Sequence, residues 1–254
     1  MTTVLENGIQ FESIFNFRDL GGHPTVSRER TRYGRVFRSD GLHRSTPADI
    51  DVLVRLGIER VVDLRTAHER VSDGCFDPHH ASVDYRHVPI LDEVGAATQT
   101  LDGETEPLVA TYLTMVTDRA ERIVEAVRAI ATVRGPVVFH CTAGKDRTGV
   151  VAALMLSAIG VADDAIAADY ARSAAAMPQL LEWYRANRNE AQPRLGVVQA
   201  IDEERSRRLL GAEPAWIQFT LDAVRASHGS VRAHLIAAGA TPSLLDRLAD
   251  KLLA

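Results

Sequence analysis

The sequence predicts an α/β fold, a central and mostly parallel sheet flanked by helices, with a further helical layer over its C-terminal part. Two short apolar runs, residues 58–64 and 136–139, have the length and composition of buried strands. Helical patterns precede them, giving the helix–strand alternation of parallel sheets. From Gly160 onward only helical patterns follow, with no Gly/Ser/Pro-rich linker before them. One domain, residues 1–254, is therefore expected: a sheet-containing core over 1–160 and a helical layer over 161–254. A chain of 254 residues with 46% hydrophobic residues is large enough to build that core.

In order, Phe15-Asn16-Phe17 alternates like an edge strand, and Asp19-Leu20-Gly21-Gly22 reads as the turn that ends it. Val36-Phe37-Arg38 is a second short strand. Thr46 is placed to cap a helix that has Pro47 at its first position and Gly57 at its close. Residues 66–89 read as mostly loop, with His79-His80 as solvated side chains and a strand over 84–90. Residues 91–107 form an acidic loop, expected to be a flap near the site. Helices are expected over 108–116, 120–131 and 150–159, then 163–176, 177–187, 197–210, 214–227, 230–238 and 241–253. The run Glu203, Glu204, Arg205, Arg207 and Arg208 suits a solvated helix face.

Composition excludes several classes. A net charge of −5 leaves no basic footprint for nucleic acid or for anionic lipid surfaces. Two cysteines, Cys75 and Cys141, cannot form a disulfide framework, and a reactive thiol suits a reducing, cytoplasmic setting. The N-terminal residues lack a basic-then-apolar leader, and the longest apolar run is too short to span a bilayer, so no stable membrane insertion is expected. Oligomeric state is not legible.

The chemistry concentrates in HCTAGKDRTG, residues 140–149. Cys141 lies where a buried strand turns into a buried helix, and Arg147 follows six positions later. Such a turn collects backbone N–H groups at the positive end of a helix, an environment that favours a thiolate and a phosphate alike. Thr142, Ala143, Gly144, Lys145 and Thr148 belong to the same binding loop, and Arg147 adds a permanent planar charge for two phosphate oxygens. A nucleotide-binding P-loop does not fit: Phe139 stands where its first Gly belongs, and Asp146 where its magnesium-binding hydroxyl belongs. No metal or cofactor is required by these residues. A leaving alkoxide or phenoxide needs a proton, for which Asp146 and Asp63 are the two candidates. Asp146 sits within the loop, where thiolate and phosphate charge favour its protonated form, while Asp63 at a strand end reads equally as a paired structural carboxylate.

These residues resemble the signature loop of the cysteine-dependent phosphatases, and the AGKDR form resembles the bacterial tyrosine/phosphoinositide phosphatases. The resemblance continues, in order, through Asn16-Phe17-Arg18-Asp19-Leu20-Gly21-Gly22, Arg35-Val36-Phe37-Arg38-Ser39, Val61-Val62-Asp63-Leu64-Arg65 and Ala168-Asp169-Tyr170. It implies a cysteine-phosphatase-like fold and a phosphomonoester hydrolase with a cysteinyl-phosphate intermediate. The substrates it implies are phosphorylated proteins, phosphotyrosine first with phosphoserine, phosphothreonine or phosphoinositides also possible. It places the acid at Asp146, with Asp63 assisting. It also implies extra phosphate contacts from Lys145 and makes leaderless secretion conceivable. Thr148 is expected to hydrogen-bond the sulfur, and His140 to orient the loop backbone. The alternative is a catalytically silent phospho-binding module, which would need a broken loop or a missing donor.

Overall fold

The computed structural model describes residues 10–77, 83–93, 107–187 and 210–253. Five strands form one sheet: β1 (Arg18–Asp19), β2 (Val36–Ser39), β3 (Arg60–Asp63), β4 (Asp84–His87) and β5 (Val137–His140). Their spatial order is β1-β2-β5-β3-β4. Only β1 runs antiparallel, against β2; the other pairs are parallel. The predicted class is thus observed. Strand β5, carrying the signature sequence, lies at the centre, with Val137 and Phe139 in the larger apolar cluster and Val138 in the smaller one on the opposite face. The same alternation sorts Val36 from Phe37 and Val62 from Val61.

The described helices are α1 (Pro47–Arg55), α2 (Ala67–Asp73), α3 (Pro107–Asp118), α4 (Ala120–Ala131), α5 (Asp146–Ala158), α6 (Asp163–Ala171), α7 (Ser173–Ala186), α8 (Pro214–His228), α9 (Val231–Ala237) and α10 (Pro242–Leu252). Helix α5 is buried from Arg147 through Leu156, consistent with its apolar circumference. Leu221 of α8, Leu235 of α9 and Leu248 of α10 join the same cluster as the sheet and α5. Lys251 Nζ donates to the carbonyls of Val133 and Gly135, tying α10 to the turn that leads into β5.

Three expected elements differ. Phe15 and Asn16 do not extend the edge strand, because their N–H groups bond to the Asp40 carboxylate instead; the ladder forms at Arg18–Asp19. The stretch read as loop after Thr66 contains α2, whose Thr66 and Glu69 form a reciprocal capping box. The single helix expected over 163–176 breaks at Arg172, and Pro178 lies inside α7 instead of at its start. The cause of the break is tertiary: the Arg18 guanidinium draws on both the Asp169 carbonyl and the Ser173 hydroxyl. The histidines at 79 and 80, most of the expected flap, and the acidic-basic run at 203–208 lie outside the described residues.

Helix α1 begins as its sequence demands, with a Thr46–Asp49 capping box and Pro47 in the first turn. Thr46→Ala should cost about 1 kcal/mol and lower the melting temperature by roughly 2–4 °C, measured by calorimetry; an unchanged midpoint would show that the cap contributes nothing.

Candidate active site

The signature loop joins β5 to α5 at the carboxyl end of the sheet, where open α/β folds place their ligands. Its shape follows from where its carbonyls go. The Thr142 carbonyl accepts from the Gly41 N–H at 3.1 Å, the Ala143 carbonyl from Asn16 Nδ2 at 2.9 Å, and the Gly144 carbonyl from Arg38 Nη2 at 2.8 Å. In a trans peptide the N–H points opposite to the C=O. Holding three consecutive carbonyls outward therefore turns the N–H groups of Ala143, Gly144 and Lys145 to the opposite, concave side. Gly144 makes this curl possible: its φ is +66°, and an added Cβ would lie 2.5 Å from the Ser39 carbonyl oxygen.

Cys141 is buried at the foot of this loop, directly after the last residue of β5. Arg147 is buried in the first turn of α5, where burial opposes its charge but the hydrogen bonds to Glu69 hold the guanidinium above its ordinary value. Its fork is held by Glu69, with Nη1 at 2.5 Å from Oε2 and Nη2 at 2.8 Å from Oε1. Glu69 also accepts from the Thr142 hydroxyl and from the Thr66 N–H at 2.8 Å. Burial works against its charge, but the Arg147 pairing and these donors outweigh it and hold the carboxyl down to about 2.

Asp146 opens α5, with its side chain 30% exposed, more than any other charged side chain of the loop. Its Oδ1 accepts from Tyr112 at 2.5 Å and lies 3.6 Å from Lys145 Nζ. Lys145 and Thr148 are buried, whereas Thr142 and Ala143 are partly exposed. Thr148 departs from expectation. Its hydroxyl, buried in the first turn of α5, has no hydrogen-bond partner, so the bond to sulfur is not formed. His140 Nδ1 lies 3.2 Å from the Cys141 carbonyl, which can only accept, so this nitrogen donates and orients the loop backbone. Burial holds the ring below its ordinary value.

Asp63 shares the rim, paired in register with His140, but its environment is that of a fixed anion. It is fully buried and accepts from the Arg65 backbone and guanidinium and from the Tyr85 hydroxyl at 2.7 Å. Burial opposes its charge, yet His140, Arg65 and Tyr85 together keep the carboxyl below the usual carboxylate range. Such a group has no proton to give at neutral pH, and of the two acid candidates the geometry favours Asp146.

Glu69, Asn16, Arg38, Tyr112, Tyr170 and Asp169 had not been assigned to the site from the sequence. Asp169 is buried between two arginines, accepting from Arg18 Nε at 2.7 Å and Arg38 Nη1 at 2.6 Å, and these outweigh burial to keep it ionised. Thr66-x-x-Glu69 carries a legible capping-box signal that would have revealed α2. Asn16, Arg38, Asp169 and Tyr170 lie in the stretches that resemble the phosphatase family, without a local signal for these contacts, and Tyr112 carries no signal.

Fold and loop together define a cysteine-dependent phosphatase. A model of the tyrosine phosphatase family matches residues 9–254, and the chain belongs to that family. It is 30% identical over 272 aligned residues to the triple specificity protein phosphatase PtpB of Mycobacterium tuberculosis, covering 94% of this chain and 96% of that one. A candidate tyrosine-protein phosphatase of Cupriavidus necator is 31% identical over 238 residues, covering 89% and 82% of the two chains. Among solved structures, the catalytic domain of the PP-IP phosphatase Siw14 from S. cerevisiae aligns with a TM-score of 0.40 at 15% identity, covering 78% of this chain and 93% of that one.

The Glu69 ion pair gives a signed pH test. Because folding depresses this carboxyl below its ordinary 4.5, its contribution is complete above about 4.5 and is lost as pH falls toward about 2. Glu69→Gln should therefore destabilise the fold by roughly 2 kcal/mol at pH 7, and the gap to the parent in denaturant titrations should narrow as the solution is acidified through that window. A gap independent of pH would contradict the assignment.

Proposed function

We propose that this tyrosine phosphatase hydrolyses phosphomonoesters with Cys141 as nucleophile, Arg147 and the loop amides as the phosphoryl cradle, and Asp146 as general acid. The observation that carries this reading is the outward clamping of the 142–144 carbonyls above Cys141, with Arg147 locked beside them. The thiolate sulfur attacks phosphorus, the P–O bond to the leaving group breaks, and the departing oxygen takes the proton of Asp146. The three equatorial oxygens lie against N–H groups and the guanidinium, where developing charge is stabilised without reorganisation. Water then hydrolyses the cysteinyl-phosphate, with Asp146, now ionised, positioned to take its proton.

The roles of Thr142, Ala143 and Gly144 are backbone roles in this scheme. Asp63 contributes by fixing Arg65 and the strand end, not by proton transfer. Phosphotyrosyl protein is the proposed principal substrate. The near full-length similarity to a phosphatase named for triple specificity supports a wider range that includes phosphoserine, phosphothreonine or phosphoinositides, with Lys145 near the incoming phosphates. Among the described residues no helix is long and apolar enough to cross a membrane. Because the nucleophile is a thiolate, we assign the protein to a reducing compartment such as the cytoplasm. A silent phospho-binding module would lack nucleophile, cation or acid, and all three converge here.

Cys141→Ser should reduce p-nitrophenyl phosphate turnover to background while leaving the circular dichroism spectrum and melting temperature unchanged, and vanadate should compete with substrate in the parent enzyme. Residual turnover near the parent rate would remove Cys141 from the mechanism. A panel of phosphopeptides and phosphoinositides ranks the substrate classes.

A further inference from the structure

We infer that Tyr112 and Tyr170 are positioning residues that fix which oxygen of Asp146 delivers the proton, an inference that rests on the assignment of Asp146 as general acid. Tyr112 of α3 donates to Asp146 Oδ1 at 2.5 Å, and its hydroxyl lies 2.6 Å from that of Tyr170 of α6. Both rings are buried, their planes crossing at 84° with centroids 6.2 Å apart. Hydrogen counting sets the direction of this chain. A carboxylate only accepts, so the single hydrogen of Tyr112 is committed to Oδ1 and the hydrogen between the two phenols belongs to Tyr170. The order is Tyr170 to Tyr112 to Asp146.

When Asp146 is protonated, an Oδ1 that still accepts from Tyr112 leaves the proton on Oδ2. That oxygen is then the one presented to the leaving group, and a carboxyl that would otherwise rotate is held to one orientation. The phenols are suited to hold it. Burial, reinforced by the charge of Asp146, raises Tyr112 well above its ordinary value, so it remains a donor throughout the pH range of catalysis. Tyr170 is fixed from the other side: its ring packs over the first turn of α5, where a Cβ on Gly149 would approach Cδ2 to 2.9 Å. Besides Asp146, the charged groups that act on the pair are Arg38 from β2 and Glu213 before α8, both on Tyr170, while Lys145 and Arg147 act on Asp146 itself.

The test compares kcat/KM, which reports departure of the leaving group, for phenyl phosphate and p-nitrophenyl phosphate. Tyr112→Phe keeps the ring and removes the donor. It should lower kcat/KM for phenyl phosphate about tenfold, part of the 10²–10⁴ that a positioned acid contributes, and that for p-nitrophenyl phosphate far less. In the Asp146→Asn background the same change should have no further effect, because the two residues act as one unit. Equal losses on both substrates, or an undiminished loss in the Asp146→Asn background, would overturn the inference while leaving Asp146 as the acid. If Asp146→Asn itself shows no dependence on the leaving group, the acid assignment fails and this inference fails with it. Should Tyr112→Phe not fold, Tyr170→Phe removes the outer donor and is expected to give a smaller loss with the same leaving-group pattern; a uniform loss there counts against the relay.

Discussion

Everything at this site depends on three carbonyl groups being turned away from it. A loop that binds an oxyanion must expose N–H groups and hide C=O groups, and an isolated chain has no reason to do so consistently over successive residues. Here the Thr142, Ala143 and Gly144 carbonyls are each claimed by a donor from a different segment: Gly41 after β2, Asn16 before β1, and Arg38 within β2. Because the peptide units are planar and trans, satisfying the carbonyls on one side orients the amides on the other. The electrostatics of the cup are thus a consequence of hydrogen bonding behind it.

That backing is expensive to build. Arg38 is fully buried, and a buried guanidinium needs a partner of opposite charge. Asp169 supplies it, shared with Arg18, which in turn donates to Asn16 Oδ1. Removing one member would leave the others charged and unpaired in the core, which is why such groups act together and why a buried pair is costly to break. The network also explains a feature of the fold. By engaging the Asp169 carbonyl, Arg18 ends α6 one residue before a new helix begins. The chain around Asp169 is therefore shaped by a requirement of the loop, over 100 residues away from Arg18 in sequence.

What the sequence made legible divides along the same line. Cys141, Asp146 and Arg147 lie within one short stretch, and their spacing on a strand–loop–helix path constrains the chemistry almost alone. The sheet and α5 were legible because burial on two faces, or all round, leaves unbroken apolar runs such as Val137–Phe139 and Val150–Leu156. Asn16 and Arg38 fall in stretches that resemble the family and Tyr112 does not, but the partners of the three lie 127, 106 and 34 residues away, so these contacts are not readable from their neighbours. Glu69 is intermediate. Its capping partner is three residues distant and readable, but its second role, holding Arg147 across 78 residues, emerges only when α2 is docked.

The position of Asp146 has a mechanical implication. An acid carried on a mobile segment must be brought to the leaving group on each turnover, whereas Asp146, the acid proposed above, is the first residue of the deeply buried helix α5. Its lateral contact is Tyr112 of α3, which Tyr170 of α6 supports in turn, and both tyrosines belong to the apolar cluster that α5 shares. In the proposed mechanism the cation and the acid sit on the first turn of α5 and the nucleophile at the end of β5, at separations set by strand, loop and helix packing.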